Sequence, residues 1–427
     1  MPLPDAPTPT AANIARADKA HSASHGGSAS APPPALTPAL TFVFAVACGL
    51  CVANIYYAQP LIGPISDALQ LHAGLAGLIM TLTQLGYGAG LLLLVPLADV
   101  VENRRLIIGA LFGAVIGLVG IALSNSAVTF LAASFMVGAC AVAAQVLLPF
   151  ASHLAPEATR GKVVGNIMAG LLGGIMLSRP FASMVAASLG WRALFWISAV
   201  LMASLIAVLW RVLPERRPHA SIGYARTMAS LPGIVWNTPL LRRRGWYQGM
   251  MFAAFQAFWT AVPLALVHEF GMGQRGIGLF ALAGAAGALL APVAGRLADR
   301  GLTRPATGAA IVVALLSFVL GAVSMHFHSL TGLVAAGILL DGAVQLCQVL
   351  NFRSLFMLAP ELRGRLNGLF MTFIFICAAV ASGIAAAVYA FHGWTGLCLL
   401  GGGFVSLALL LYLTEFRRRP AAVAVGG

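Results

Sequence analysis

Residues 160–166 read RGKVVGN, and residues 363–369 read RGRLNGL. The first run is followed by LGW ending at Trp191, the second by HGW ending at Trp394. Position 160 therefore maps to 363 and position 191 to 394, one offset of 203 for both. Under that offset AQPLI at Ala58 lies over AVPLA at Ala261, proline on proline. PLADVVENRR from Pro96 matches RLADRGLTR from Arg296 at an offset of 200, so one short gap intervenes. APEATRG and APELRG correspond too, one residue apart in length. The chain is a duplicated unit.

Composition says what kind of unit. Of 427 residues 60% are hydrophobic and only 9% charged, with a mean hydropathy of +0.91. Soluble domains are about a quarter charged, so this chain is not one. About 20 apolar residues at 1.5 Å each cross a bilayer, and twelve stretches are long enough. Their centres fall near Ala47, Gln84, Val115, Ala141, Ile175, Ala203, Phe258, Ala286, Leu315, Asp341, Ala379 and Leu407. The predicted fold class is an all-α membrane protein of twelve transmembrane helices in two six-helix bundles. Both units keep the same orientation, because each starts and ends on one side.

The net charge of +13 is a topology signal rather than a nucleic-acid patch. With a cytoplasmic N-terminus, all of the 25 Lys and Arg except Arg179, Arg192 and Arg275 fall on the inner side. That asymmetry is the positive-inside rule. The expected location is a bacterial inner membrane, multi-pass, with both termini cytoplasmic and the bilayer as solvent. No nucleic-acid partner is expected.

The expected organisation is a disordered cytoplasmic tail over 1–36, a bundle over 37–213, a cytoplasmic linker over 214–244, a second bundle over 245–416, and a tail over 417–427. Residues 1–36 are rich in Pro, Ala, Ser and Thr without periodicity, and lack the layout of a cleaved signal peptide. Within the linker SIGYARTMASLPGIVW is either a surface helix or irregular chain. The six cysteines all sit in apolar runs without metal-ligand spacing and read as small hydrophobes. Neither a metal nor a cofactor is expected.

Twelve spans, a six-plus-six repeat, and a charged loop after spans two and eight resemble the major facilitator superfamily over nearly the whole chain. The family's loop pattern is Gly-x-Leu-Ala-Asp-Arg-x-Gly-Arg-Lys/Arg. The second copy keeps Gly295, Leu297, Ala298, Asp299, Arg300 and Arg304, with Leu302 and Thr303 where Gly and Arg stand in the pattern. The first keeps Leu97, Ala98, Asp99 and Arg104 and departs at Val95, Val100, Glu102 and Asn103. PLADVVENRR and NIYYAQPLIGPI look like a bacterial branch of efflux transporters. The resemblance implies two bundles related by a pseudo-two-fold axis along the membrane normal. It also implies a cytoplasmic gate in which Asp99 and Asp299, with Arg104, Arg105, Arg300 and Arg304, latch one half to the other. A carboxylate at a helix end can accept from the free N–H groups of a neighbouring helix start; the alternative is a set of solvated loop charges.

GILLDGAVQLCQVLNF, residues 337–352, puts Asp341 inside an apolar run. An ionised group at bilayer depth costs about 2.5–3.5 kcal/mol on insertion scales, so such acids are functional by default. Asp341, Gln345, Gln348 and Phe352 share one helical face. By resemblance spans one, four, seven and ten line a central cavity. They offer Asn54, Tyr57 and Gln59; Gln145; Gln248, Gln256 and Trp259; and Asp341. The amides are either cavity lining or interhelical glue worth about 0.6 kcal/mol each, and Tyr56 and Tyr57 either cavity or interfacial belt. Asp341 either carries a proton in each cycle or stays ionised opposite a cationic substrate or Arg179, the only base inside a span. An Arg179–Asp341 pair between the halves would have to break as they rock.

These residues predict a proton-coupled secondary transporter of a small organic molecule, working as a monomer and not an enzyme. Export is expected by resemblance to the branch, with uptake of a sugar, organic acid or amino acid as the alternative. Two departures count against a standard multidrug antiporter. Ser134 stands four residues before Gly138 where an arginine is usual, and Arg179-Pro180 occupies the region of a Gly-Pro signature. A membrane enzyme would need clustered acids or nucleophiles at one face. Asp67 and Glu269 are isolated, and His326 and His328 lack a partner set. No phosphate-cradling glycine motif is present, which excludes an ATP-driven pump.

Overall fold

The computed structural model describes residues 37–215, 223–358 and 363–417. The tail over 1–36 and all but the first residue of the tail over 417–427 lie outside the described residues. Among those described, every regular element is helical. Spans one to six are Pro38–Ala68, Ala73–Asp99, Asn103–Leu123, Ala127–Leu154, Arg160–Leu189 and Trp191–Val212. Spans seven to ten are Pro239–Phe270, Gln274–Asp299, Thr303–His326 and Leu330–Leu355.

One last stretch, Gly364–Glu415, runs for 52 residues. At 1.5 Å per residue that is ~78 Å, more than twice a hydrocarbon core of ~30 Å. It breaks at Gly393, with φ 62° and ψ −161°, into an eleventh and a twelfth span. The corresponding residue of the first half, Gly190, separates spans five and six with φ 82°. A left-handed backbone costs glycine little, and each of these glycines precedes a buried tryptophan, Trp191 or Trp394. The duplication seen in sequence is thus also a duplication of backbone conformation.

Helices in lipid gain little from hydrophobic exclusion and associate through close van der Waals contact at small residues. Spans one and five meet where a methyl on Gly49 would come 2.7 Å from the Gly170 carbonyl oxygen. Spans two and four meet with Gly86 against Phe135 and Gly138 against Thr83, both at backbone carbonyls. On span three, Gly113 and Gly117 press on Cys140 and Val137 of span four, whereas Gly109 faces open space.

The two copies are not identical in detail. Span one breaks into a 3-10 turn at Gln59–Leu61, carrying Pro60, but span seven stays helical through Pro263. Within the linker, Tyr224–Asn237 is a helix that buries Thr227 and Leu231, and Tyr224 Oη donates to the Leu93 carbonyl at 3.0 Å. Span seven begins at Pro239, a residue type suited to the first helical turn, so its first turns use residues assigned to the linker in sequence. Arg244 is consequently buried, with Nη1 3.3 Å from Asn351 Oδ1 and 3.4 Å from Thr307 Oγ1.

Because the spans alternate in direction, Asp99, Arg104, Arg105, Asp299 and Arg365 lie at one end, termed the basic end. The halves close tightly at the other. There Thr81 Oγ1 donates to the Ala379 carbonyl at 2.9 Å, and a methyl on Gly77 would collide with the Ser382 carbonyl. Gly278 of span eight similarly approaches Ser183 and Pro180 of span five.

Candidate functional site

Five spans from both halves converge on one buried cluster. Asp341 lies eleven residues into span ten, ~16 Å along the helix from Leu330, and is 8% exposed. Its Oδ1 accepts from the indole N–H of Trp259, on span seven, at 2.7 Å. Gly287 of span eight lies against its other side: a methyl there would sit 2.6 Å from Asp341 Cβ.

Arg179 of span five reaches the same indole from the opposite half. Its guanidinium carbon lies 4.5 Å from the centre of the Trp259 ring, 5.1 Å from Tyr56 and 5.3 Å from Phe255. Cation–π contacts of this kind are worth about 2 kcal/mol or more when desolvated. Arg179 and Asp341 make no ion pair; Trp259 touches both, giving its ring to the cation and its N–H to the anion. The acid and base singled out in sequence are therefore joined, through an indole rather than by contact.

Gln59 completes the cluster. Its Oε1 accepts from Arg179 Nε at 2.7 Å, which fixes the amide orientation and turns its Nε2 toward Gln256 Oε1 at 3.4 Å. This pairing crosses from span one to span seven. Two buried donors remain without partners: Arg179 Nη2 and Gln256 Nε2. A void of about 10 Å³ touches Gln59, Arg179 and Trp259, room for about one water.

Other expected cavity residues fall elsewhere. Asn54 accepts from Ser198 Oγ at 2.5 Å and donates to the Leu50 carbonyl at 3.0 Å. It joins spans one and six as interhelical glue. Tyr57 is buried beside Phe181, ring centres 6.2 Å apart. Gln345 and Gln348 are half-buried on the face they share with Asp341. Gln145 donates to Tyr87 Oη at 3.1 Å and alone among the expected cavity residues lines the larger cavity.

That cavity, about 190 Å³, lies between the halves at the basic end. Asp99, Asn103, Gln145, His153, Leu231 and Arg365 are on its wall. It does not reach Asp341. A column of rings intervenes: Tyr87 to Phe375 at 4.5 Å, Phe375 to Phe252 at 5.5 Å, Phe252 to Phe255 at 5.3 Å and Phe255 to Trp259 at 6.4 Å. The expectation that Asp341 opens onto a central cavity is thus corrected for this conformation. The closed far end and the aromatic column shut it in.

The gate residues are distributed within each half. Asp99 is exposed at the cavity mouth. Asp299 pairs with Arg353, whose Nη1 also donates to the Gly295 carbonyl at 3.2 Å, tying spans eight and ten of one half. Arg104 donates to the Trp210 carbonyl and lies 3.8 Å from Glu215. Arg105 pairs with Glu102 at 2.7 Å and Arg304 with Glu415 at 3.3 Å, while Arg300 is exposed. Sequence reasoning named Tyr56 only as cavity lining or interfacial belt, and missed the ring face of Phe255 and the buried group around Arg244. Its signals were the 252, 255, 259 aromatic spacing and a proline opening span seven.

The family model for the Major Facilitator Superfamily matches residues 41–257 and 245–426. The protein named uncharacterized transporter YgaY of Escherichia coli O157:H7 is 39% identical over 388 residues, 91% of this chain and 98% of that protein. A chloramphenicol resistance protein of Pseudomonas aeruginosa is 28% identical over 222 residues, 50% of this chain and 51% of that protein. The crystal structure of a bacterial homologue of the human lysosomal transporter Spinster, inward-facing and occupied, superposes with a TM-score of 0.72 at 13% identity. It covers 90% of this chain and 98% of that one.

Proposed function

This chain belongs to the Major Facilitator Superfamily and is a membrane transporter, and from that premise we propose that it couples transport of a small organic molecule to proton movement through Asp341. The observation carrying this reading is the placement of Asp341 and Arg179. They come from opposite halves, are buried at mid-span, and are held on either aspect of one indole. When the halves rock apart at the far end, Arg179 leaves with one and Trp259 with the other. Asp341 then loses the cation that offsets its charge, and a proton taken from that side replaces it. Alternating access around a mid-membrane site is the working mode of such folds. Gate and cavity enter at the basic end, which we place in the cytoplasm of a bacterial inner membrane. In the opposite conformation Asp99 and Asp299 would close that end.

Export is supported by the relative named for chloramphenicol resistance. Uptake has one observation of its own, a buried arginine with an unpartnered Nη2, which suits an anionic substrate. The test is reconstitution of the full chain into proteoliposomes loaded with a pH dye, with candidate solutes added one at a time. A transported solute should move protons with it, in either sense. Solute counterflow that neither moves protons nor responds to an imposed pH gradient contradicts the reading.

A further inference from the structure

The buried cluster leaves two donors unpartnered. Arg179 brings three guanidinium nitrogens, Gln59 and Gln256 an amide NH2 each, and Trp259 an N–H. Three oxygens of the cluster are engaged: Gln59 Oε1 by Arg179, Gln256 Oε1 by Gln59, and Asp341 Oδ1 by Trp259. Arg179 Nη2 and Gln256 Nε2 are buried donors without a partner, and both belong to residues bonded to Gln59. A buried unsatisfied donor is destabilising, more so on a charged group, so an acceptor arriving here recovers a standing penalty. A cation would find no such reward, since three rings already surround the Arg179 guanidinium.

Charge balance narrows the ligand further. Arg179 and Asp341 are formally neutral together. An anion added to them in a low-dielectric interior is an uncompensated buried charge unless another group neutralises. Among the described residues, the ionisable groups facing Asp341 are Arg179 from span five and Tyr56 from span one. Span seven faces it with Trp259 and span eight with Gly287, neither of which ionises. Asp341 is therefore the group that takes a proton when an anion claims Arg179. Apolar residues around the void at Arg179, among them Val262, Leu266, Ile277 and Phe280, fit an apolar body behind the anionic group. The void itself holds little more than a water, so entry accompanies separation of the halves.

We infer that this site takes a small organic monocarboxylate with an apolar body, held through Arg179 Nη2 and Gln256 Nε2, with one proton on Asp341 accompanying it. The inference rests on the proton-coupled reading above and aligns with its uptake variant, because anion and proton bind together. The probes are 2-naphthoate, 2-naphthamide and 2-naphthylmethylamine, titrated calorimetrically into the purified full chain near pH 6 and near pH 8. Naphthoate should bind at least tenfold more tightly than the amide or the amine, and more tightly at the lower pH. Arg179→Gln should erase the preference for the carboxylate, and Asp341→Asn its pH dependence.

Equal binding of the amide or amine, or no binding of naphthoate, overturns the inference. The comparison of three ligands on the unaltered chain decides it even if Arg179→Gln does not fold. Absent carboxylate preference alongside solute-driven proton movement in proteoliposomes would sink this inference and leave proton coupling standing. Carboxylate preference without any proton movement would sink the coupling and, with it, the accompanying proton.

Discussion

Trp259 donates its indole N–H to Asp341 at 2.7 Å while the face of the same ring lies 4.5 Å from the Arg179 guanidinium. One side chain thus serves both charges, and its two functions can be separated. Trp259→Phe keeps an aromatic face for Arg179 and removes the hydrogen bond to Asp341. A hydrogen bond to a charged group is worth about 1.5–3 kcal/mol. The variant should fold with a lowered melting temperature and lose at least tenfold in proton-coupled flux. Unchanged flux would show that the indole N–H is packing alone.

The closed far end offers a locking experiment. An ideal Cβ at Gly383 of span eleven lies 3.0 Å from Thr81 Oγ1 of span two, close enough for a disulfide once both are cysteine. Oxidised Thr81→Cys with Gly383→Cys should hold the halves as they are here and stop transport, and a reductant should restore it. Full flux with the crosslink formed, scored by mass spectrometry, would mean that the far end does not open.

Asn54 separates glue from chemistry. It joins spans one and six through Ser198, remote from the indole cluster in bonding. Ser198→Ala should cost about 0.6 kcal/mol, the average for such interhelical bonds, and leave flux and its pH dependence intact. A shifted pH profile would return Asn54 to the site.

The layout was legible in sequence for a physical reason. Lipid forces each crossing to be a long apolar helix, and arginine placement records its direction, so twelve crossings could be read from composition. The duplicated LGW and HGW runs turned out to mark two glycines of matching left-handed backbone. Within the candidate site, Asp341, Arg179 and Trp259 stood out in sequence because charge and indole are conspicuous at bilayer depth. Their arrangement did not. Gln59, which bonds both Arg179 and Gln256, sits in the break at Gln59–Leu61, and that break does not follow from helical periodicity. Arg244 was misplaced for a related reason: a run of three arginines reads as loop, although Pro239 had already begun the helix.

At the basic end, Asp299 and Arg353 form an ion pair between side chains 63% and 45% exposed. Exposed pairs contribute about 0–1 kcal/mol, so Asp299→Asn should leave the melting temperature nearly unchanged. If Asp299 also latches the closed state, flux should fall several-fold at unaltered substrate affinity. Equal rates for the variant and the parent chain would reduce Asp299 to a surface charge.

The most direct test of the central claim is Asp341→Asn in proteoliposomes, assayed both for solute exchange at equal pH and for accumulation driven by a pH gradient. Asparagine fits the same space and can still accept from Trp259, but it cannot carry a proton. The account predicts that exchange persists while gradient-driven accumulation disappears. Accumulation at the parent rate would contradict it.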